Sequence, residues 1–408
     1  MHEYNMCISF HHTVTKMDAD GNINVIVLIA VVLAAMYRAR RQPRPQHNSV
    51  LTGDLYYKEI LATENVNRFR QVARMDRETF NLLKEQLIDG GLTDSMYICS
   101  GQKLMILLHV LRGHTNRETA ERWQHSGATI SDIVHEVSHC LDNIKHRIYK
   151  PALAGDPTPT QIANNGKFTP YFNDCIGALD GTHIPAVIPV YLQHPFRNRK
   201  KVITQNVLGV ANFDLTFAYA LFGWEGSAHD ARVYDDSKLK GLPLIIGKYY
   251  LADGGYALSK YTLTPYRGVR YHLVEFGNNG QGPVNSKELY NLRHSSLRNT
   301  VERLFGVAKN RFPILKRMSA YTFEFQCDLV QCSFLMHNFV RLNQLYEDEF
   351  YNVEIVNNPN VLEDNDDEVA DEDEDGINYQ ELKIWRNNIA DAMWVQYQLN
   401  IAQNNANY

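Results

Sequence analysis

The stretch CIGALDG (Cys175–Gly181) is a short apolar run that ends in one carboxylate, Asp180, followed by glycine. A second stretch, YYLADGG (Tyr249–Gly255), has the same design around Asp253. Apolar runs of this length bounded by turn residues are typical of strands buried on both faces of a sheet. Open α/β sheets bind ligands at the ends of such strands, and glycine lets the chain turn there and a bulky substrate approach the backbone. The sequence therefore predicts two aspartates at strand ends, which would be half of a metal site.

A third carboxylate comes from RNTVERLFGVAKNRF (Arg298–Phe312), whose apolar periodicity predicts a helix. Arg298, Glu302 and Lys309 share its other side. That side is either a surface salt-bridge ladder or a carboxylate directed at a metal, with cations for nearby phosphates. Three carboxylates from separate elements suit Mg²⁺ or Mn²⁺, and two such ions can promote an in-line phosphoryl displacement. The alternative is that the Asp-Gly pairs are ordinary turns.

Composition and charge place the chain among ordinary globular proteins. Of its 408 residues, 44% are hydrophobic and 21% are charged, which allows two or three domains with a substantial core. The six cysteines include no CxxC pair, which argues against a disulfide framework or a zinc cage. The net charge of −5 is uneven, because Glu363–Asp375 holds ten acidic residues and no basic ones. The remainder has 41 basic and 36 acidic side chains, a mildly basic body compatible with a polyanionic partner.

The N-terminal half has helical periodicity between residues 49 and 148. A short helix (Arg117–Trp123), a break at HSG and a longer amphipathic helix outline a helix-turn-helix, with Thr129 and Asp132 predicted as the cap of the longer helix. This helix either reads DNA or only packs within a helical module. Its outward positions lack the Arg and Lys expected of phosphate contacts, and both interpretations stay open. These positions are Ser131, Asp132, His135, Glu136, Ser138 and His139.

The first 48 residues combine an apolar run with a basic one. Ile23–Tyr37 is apolar apart from Asn24, and arginines follow it. The run is shorter than the roughly 18–20 residues of a membrane span, and acidic residues precede it, unlike in a signal peptide. A buried or frayed helix is the simpler interpretation, and a membrane anchor is the less favoured one. Alternatively, translation starts at Met36 and leaves RARRQPR as a basic arm for nuclear import or phosphate contact.

Strand patterns dominate the second half of the chain. Asn206–Ala211 and Leu215–Trp224 predict a β-hairpin, and HPFRNRKK (His194–Lys201) is a basic loop whose cations are candidate DNA contacts. These cations are Arg197, Arg199, Lys200 and Lys201. The predicted order is an N-terminal segment (1–48), a helical helix-turn-helix-like domain (49–150), a linker (151–169), an α/β domain (170–345), an acidic, solvated linker (346–380) and a C-terminal helix (381–408).

Six motifs resemble, in sequence and in order, those of the PIF/Harbinger transposases and the nucleases derived from them, within the DDE superfamily. They are PYFNDCIGALDGTHIP (Pro170–Pro185), RKKVITQNVLGVANFD (Arg199–Asp214), GWEGSAHDARV (Gly223–Val233), YYLADGGYAL (Tyr249–Leu258), LTPYRGVRYHL (Leu263–Leu273) and RNTVERLFGVAKNRFPIL (Arg298–Leu315). The segment ETAERWQHSGATIS (Glu118–Ser131) in the helical half is also typical of this family. Six ordered motifs are far more specific than any one of them.

The resemblance implies an RNase H-like catalytic fold, a mixed sheet flanked by helices. It implies that Asp180, Asp253 and Glu302 are the DDE triad and hold two Mg²⁺ or Mn²⁺ ions, with Asp180 as the shared ligand. Asp230 of the AHDARV motif and Arg298 match positions that the family often keeps near the site. We expect Asp230 to begin a helix or to support the metal ligands from behind, Arg298 to contact a phosphate or to have a structural role, and Lys309 to contact a phosphate or to support the site.

The resemblance also implies the binding partners and the cellular location. Family members typically act on DNA in the nucleus and need a separate Myb/SANT-like DNA-binding protein. We therefore expect a nuclear, metal-dependent endonuclease or transposase that hydrolyses phosphodiester bonds and transfers strands. Membrane association is not expected, and a homo-oligomer is compatible with this function. The alternative is a domesticated, non-cleaving DNA- or chromatin-binding protein with the same fold. A helix-turn-helix transcription regulator ranks last, because the catalytic half would then be vestigial.

Overall fold

The computed structural model describes residues 25–41, 46–270, 282–344, 350 and 378–406. Residues 1–50 and residues 51–408 are two structural units. In the first unit, the predicted apolar run forms helix α1 (Val25–Arg41). None of the helices in the described part of the chain is long and apolar enough to cross a membrane. The acidic tract at 363–375 lies outside the described residues.

The second unit begins with helices. They are α2 (Gly53–Ala62), α3 (Val66–Ala73), α4 (Arg77–Asp89), α5 (Ser100–Leu111), α6 (Asn116–Trp123), α7 (Gly127–Asn143), α8 (Lys145–Ile148) and α9 (Thr160–Ala163). Every residue of α5 is buried, so the other helices pack around it. The N-cap of α7 is Ser126, whose hydroxyl accepts the N–H of Thr129 at 3.1 Å. The prediction that Thr129 is the cap was wrong, because the helix begins two residues before it, at Gly127.

Part of the predicted outward face of helix α7 contacts the rest of the protein. The His135 ring stacks on Phe325 at 3.6 Å between centroids, and the Glu136 carboxylate accepts two hydrogen bonds from the buried Lys103, at 2.7 and 2.8 Å. The Ser138 hydroxyl is buried and donates to the carbonyl of Val134. Three of the six positions that would contact DNA therefore make contacts within the protein, whereas Asp132 and His139 are exposed.

A five-stranded mixed sheet follows, in the spatial order β3-β2-β1-β4-β5. Its strands are β1 (Cys175–Pro185), β2 (Thr204–Ala211), β3 (Phe217–Glu225), β4 (Tyr249–Leu251) and β5 (Thr262–Leu263). The strands β1, β2 and β3 are antiparallel, whereas β4 and β5 run parallel to β1. This order, with helices against the sheet, is the expected RNase H-like architecture. The predicted fold class is confirmed, as is the β2–β3 hairpin.

Helices cover the sheet. They are α10 (Asp230–Leu239), α11 (Ser286–Arg311), α12 (Phe323–Asn343) and α13 (Tyr379–Ala406). One core joins α11, α12 and the helical N-terminal half to one face of the sheet. A smaller core, which includes Leu179, Leu208 and Val233, lies under α10 on the opposite face. Helix α13 packs on α11, and its Trp385 meets Tyr249 of β4 edge to face at 5.1 Å. The site described below lies between these layers.

Two boundaries differ from the sequence interpretation. Strand β1 does not turn at Gly181 but continues to Pro185, paired with β2 along its second half. Helix α11 begins at Ser286, twelve residues before the predicted start at Arg298. The buried face of this first half is partly polar, which hides its periodicity. Its Asn291 amide donates to the carbonyls of Tyr266, Val269 and Arg270.

Candidate active site

The register of the parallel pair β1–β4 brings two predicted carboxylates together. Ala178 of β1 pairs with Leu251 of β4, and Asp180 and Asp253 each follow two residues later. Because side chains alternate along a strand, Asp180 belongs to the same face as Ala178, which is the face covered by α11. Asp253 lies two residues beyond the end of β4. Asp253 is half-buried, and its Oδ1 accepts the N–H of Gly255 at 2.8 Å.

Helix α11 brings Arg298 and Glu302 to the same place. Arg298 Nη1 donates to Asp180 Oδ2 at 2.9 Å, and Arg298 Nη2 donates to Glu302 Oε1. The arginine is 7% exposed, so this guanidinium joins two carboxylates in a largely dry setting, where charge-assisted bonds are strong. The structure therefore shows the salt-bridge ladder on this helix face, and the ladder ends on Asp180 of β1.

A fourth carboxylate, Asp230, approaches β1 through Gly181. It opens helix α10, and its Oδ1 accepts a hydrogen bond from the Asn206 amide at 2.7 Å. A Cβ atom at Gly181 would lie 2.3 Å from that same oxygen, which no side chain tolerates. Gly181 therefore leaves room for the Asp230 carboxylate. The chain does not turn at this position, contrary to the prediction. Asp230 lies on the α10 face of the sheet, opposite Asp180.

Lys309 lies two turns beyond Glu302 on α11. Its Nζ donates to Thr182 Oγ1 at 2.7 Å and to the carbonyl of His183 at 3.2 Å. Burial lowers the pKa of Lys309 to about 8, with a smaller contribution from Lys316, while Asp180 opposes the shift. Among the described residues, the hydrogen-bond partners of this ammonium are these two neutral oxygens, so its charge is available to an anion that enters the site.

The pKa of Asp180 is raised by its burial and by the neighbouring carboxylates. Burial raises the pKa of Asp180 well above its usual range, Arg298 opposes this, and the charges of Asp253, Asp230 and Glu302 raise the pKa further. A buried group under this much negative charge is stabilised by a cation. The all-oxygen donor set suits Mg²⁺ or Mn²⁺. Within the described residues, no three His, Cys, Asp or Glu side chains are grouped closely enough to hold a metal ion, and the Arg298 guanidinium lies between two of the candidates.

Sequence reasoning missed Tyr256, although it stands in the quoted motif YYLADGGYAL. The residue is 2% exposed, and its hydroxyl has no hydrogen-bond partner among the described residues. Burial raises its pKa well above the usual range, and the charges of Asp230, Asp180 and Asp253 add to this effect. The ring lies in the smaller core under α10, edge to face with Tyr234 at 5.9 Å. Its only sequence signal is the position three residues after Asp253.

The basic loop between β1 and β2 lies beside these carboxylates. Arg197, Arg199, Lys200 and Lys201 are all exposed. Burial lowers the pKa of His183 on β1, and Lys309, Lys200 and Arg199 lower it further. Burial raises the pKa of Asp230, and Arg199 is among the charges that oppose this. At least two of the four predicted DNA contacts are therefore electrostatically close to the site.

Comparison with known families agrees with this geometry. Residues 179–338 match the family described as "DDE superfamily endonuclease". Residues 179–338 form a DDE superfamily endonuclease domain. It contains all three triad candidates, Asp180, Asp253 and Glu302, together with the basic loop. The preceding helices, at residues 48–143, match a family described as a domain of unknown function.

The chain also matches a curated relative. "Protein ALP1-like" from Arabidopsis thaliana is 27% identical over 162 residues, which cover 35% of this chain and 36% of that protein. The chain thus spans about a third of the length of this relative. No solved structure matches the chain.

Proposed function

We propose that this protein is a divalent-metal-dependent DNA endonuclease of the Harbinger transposase type, with Asp180, Asp253 and Glu302 as its metal ligands. The observation that carries the proposal is that Arg298 joins Asp180 to Glu302, and that the β1–β4 register brings Asp180 and Asp253 to neighbouring strand ends, within residues that match a DDE endonuclease. Their separation along the chain is large, so their convergence is a property of the fold. Burial and the neighbouring negative charges raise the pKa of Asp180. Perturbed pKa values are typical of catalytic centres.

The donor set fits Mg²⁺ or Mn²⁺, which prefer carboxylate, water and phosphate oxygens. When bound, two such ions supply an activated water and stabilise the leaving oxygen of an in-line phosphoryl displacement. Asp180 is the proposed shared ligand, because it is the most deeply placed and the charges of Asp253 and Glu302 both act on it. Arg298 has to release Glu302 for this arrangement, and a DNA phosphate is its natural new partner.

The other residues have supporting roles in this proposal. Lys309 presents a buried ammonium where a substrate phosphate would lie beside β1. Asp230 accepts a hydrogen bond from Asn206 and places a negative charge behind Gly181. This charge favours the binding of cations at the site. In hydrolysis, water attacks phosphorus and a 3′-hydroxyl leaves with the proton. In strand transfer, that 3′-hydroxyl attacks a target phosphodiester, one P–O bond replacing another.

The proposal also includes the binding partners and the cellular location of the protein. The exposed cations at positions 197–201 suit contact with DNA phosphates. Helix α7 uses His135 and Glu136 for internal contacts. Sequence recognition by a separate Myb/SANT-like protein, in the nucleus, is consistent with this use of the helix-turn-helix-like region.

A second candidate is a domesticated, non-cleaving DNA- or chromatin-binding protein. The observation that favours it is Arg298, which pairs with Asp180 and Glu302 and neutralises much of the charge that a metal would otherwise neutralise. In that case, the ion pair would be the permanent state of the site and the basic loop would only bind DNA.

The decisive experiment combines metal binding with DNA cleavage. Purified full-length protein is incubated with Mg²⁺ or Mn²⁺, the DNA-binding partner and DNA that carries the element ends. Asp180→Asn is the test variant, and Asp132→Asn, on the exposed side of α7, is the matched control. We expect nicking by the wild type and the control and none by Asp180→Asn. Equal activity of wild type and Asp180→Asn would refute the assignment.

Thermal unfolding without DNA distinguishes the two candidates. Binding to the native state at 100 times the dissociation constant stabilises it by about 2.7 kcal/mol. We expect Mg²⁺ or Mn²⁺ to raise the Tm of the wild type and not that of Asp180→Asn. No shift in either protein, together with intact DNA binding, would support the non-cleaving protein instead.

A further inference from the structure

An exposed apolar turn projects from the loop that joins β1 to β2. It is a single 3₁₀ turn, Val190–Leu192, preceded by Pro189, and we call residues 189–192 the loop tip. Val190 is 85% exposed and Tyr191 is 83% exposed. Large apolar side chains this exposed at the end of a structured loop suggest a binding role.

The loop that carries this tip is braced. Both backbone groups of Val187 bond to the side chain of Gln326 on α12, which is fully buried: the N–H donates to Oε1 at 2.9 Å, and the carbonyl accepts from Nε2 at 2.8 Å. The loop also closes on itself, because Ala186 N–H donates to the carbonyl of Ile203 at 3.1 Å. The exposed side chains therefore project from a fixed base.

The same loop ties the apolar tip to the basic cluster. Gln193 donates to the carbonyl of Ile188 at 2.9 Å, and its Oε1 accepts a hydrogen bond from Arg197 at 3.2 Å. Arg197 begins the basic turn that continues through Arg199 to Lys201, all exposed. An apolar ridge and a row of cations thus lie on one rigid loop.

Hydrogen bonds place this loop beside the carboxylate site. Thr204, which follows the loop, shares a hydrogen bond with His183 at 3.1 Å, and Lys309 donates to the carbonyl of the same histidine. The Pro195 carbonyl accepts the N–H of Ser227, in the turn that leads to Asp230. A polyanion that lies on the basic turn would therefore pass the carboxylates.

We propose that the loop tip is a base-stacking wedge, in which Val190 and Tyr191 lie against an unpaired or displaced base of DNA whose phosphates lie on the basic turn. The inference rests on the proposed function, because it takes DNA as the ligand. Aromatic and aliphatic wedges stack on bases of any sequence, whereas the neighbouring cations hold the backbone. A single turn of three apolar side chains is small for a protein interface, which typically buries about 800 Å² on each partner.

Fluorescence of 2-aminopurine tests the wedge without cleavage. Full-length protein in EDTA is titrated into a duplex with a three-nucleotide gap that carries 2-aminopurine opposite the gap, and into the intact duplex. The test variant is Val190→Ser with Tyr191→Ser, and the control is Leu239→Ser, a leucine on α10 that is 88% exposed. We expect the wild type and the control to bind gapped DNA more tightly than intact DNA and to change the fluorescence.

The serine variant should lose about tenfold in affinity for gapped DNA and little for intact DNA, and Tyr191→Phe should keep the wild-type signal. Lys200→Gln with Lys201→Gln should instead weaken binding to both DNAs alike. Unchanged fluorescence and affinity in the serine variant would overturn the wedge, as would failure of the wild type to bind either DNA. If the serine variant still binds DNA but no longer binds a protein partner, the wedge would also be overturned, and the loop tip would be a protein-docking turn.

Asp180→Asn separates this inference from the proposed function. It should abolish cleavage and keep the 2-aminopurine signal, because the loop tip does not depend on the carboxylates. A wild type that stacks the base but never cleaves DNA would refute the nuclease and support the wedge. A wild type that cleaves while the serine variant stacks normally would refute the wedge alone.

Discussion

Gly209→Ala tests whether helix α11 is pressed against the sheet directly behind the carboxylates. Gly209 is the residue of β2 that pairs with Asp180. A Cβ atom there would lie 2.6 and 2.7 Å from two carbon atoms of the Phe305 ring, and 3.4 Å from Phe217. Phe305 is three residues after Glu302, so any shift of its ring or helix moves a proposed ligand.

The cost follows from this geometry. Carbon atoms in contact are normally about 3.5–4.0 Å apart, so the ring has to move by about 1 Å. Phe217 cannot yield, because it stacks on Phe334 with centroids 3.9 Å apart. Overpacking of this kind costs about 1–3 kcal/mol. We expect Gly209→Ala to lower the free energy of unfolding by about 2 kcal/mol and to weaken stabilisation by Mg²⁺.

Urea unfolding of a double-mutant cycle measures the effect. Phe305→Leu removes the clashing ring at a cost of its own, and in that background Gly209→Ala should cost less than about 1 kcal/mol, a coupling within the usual range for residues in contact. Gly166→Ala is the control, since nothing lies within 4 Å of its Cβ position. If Gly209→Ala costs the same in both backgrounds, the helix is not held against the sheet in this way.

Three further predictions concern stability. Ser126→Ala should lower the free energy of unfolding by about 1 kcal/mol through loss of the α7 cap, whereas Ser126→Gly should cost only a few tenths; equal losses in urea unfolding would contradict this. Lys103→Met should cost about 1–3 kcal/mol, because it leaves the Glu136 carboxylate and a carbonyl without their donor, and a neutral result would show that the pair is dispensable. Burial lowers the pKa of His294 and His337 to about 3, below the usual value in the unfolded chain. As pH falls below about 6.5, the unfolded state binds more protons than the native state. The free energy of unfolding should therefore drop by up to about 1.4 kcal/mol per pH unit for each histidine. His337→Gln should make this decline less steep, and an unchanged dependence of stability on pH would refute the role of His337.

Local patterns in the sequence were sufficient for much of the fold. The hairpin of β2 and β3, the apolar runs before Asp180 and Asp253 and the helix that carries Glu302 are all visible in the order of residues, because alternation and helical periodicity are local properties. The boundaries were less accessible. Strand β1 continues past Gly181 because β2 pairs with it there, and the glycine is required by Asp230, which is distant in the sequence.

The site itself depends on contacts between distant residues. Arg298 and Asp180 are 118 residues apart along the chain, and neither periodicity nor spacing indicates that one guanidinium joins Asp180 to Glu302. The unpartnered hydroxyl of Tyr256 is equally hidden, since a tyrosine in an apolar motif predicts only burial. The sequence by itself determined which carboxylates are present and on which elements. Only the tertiary structure decided their register, their shared negative field and the arginine between them, because burial and electrostatic interaction depend on distance in space and not on order in the chain.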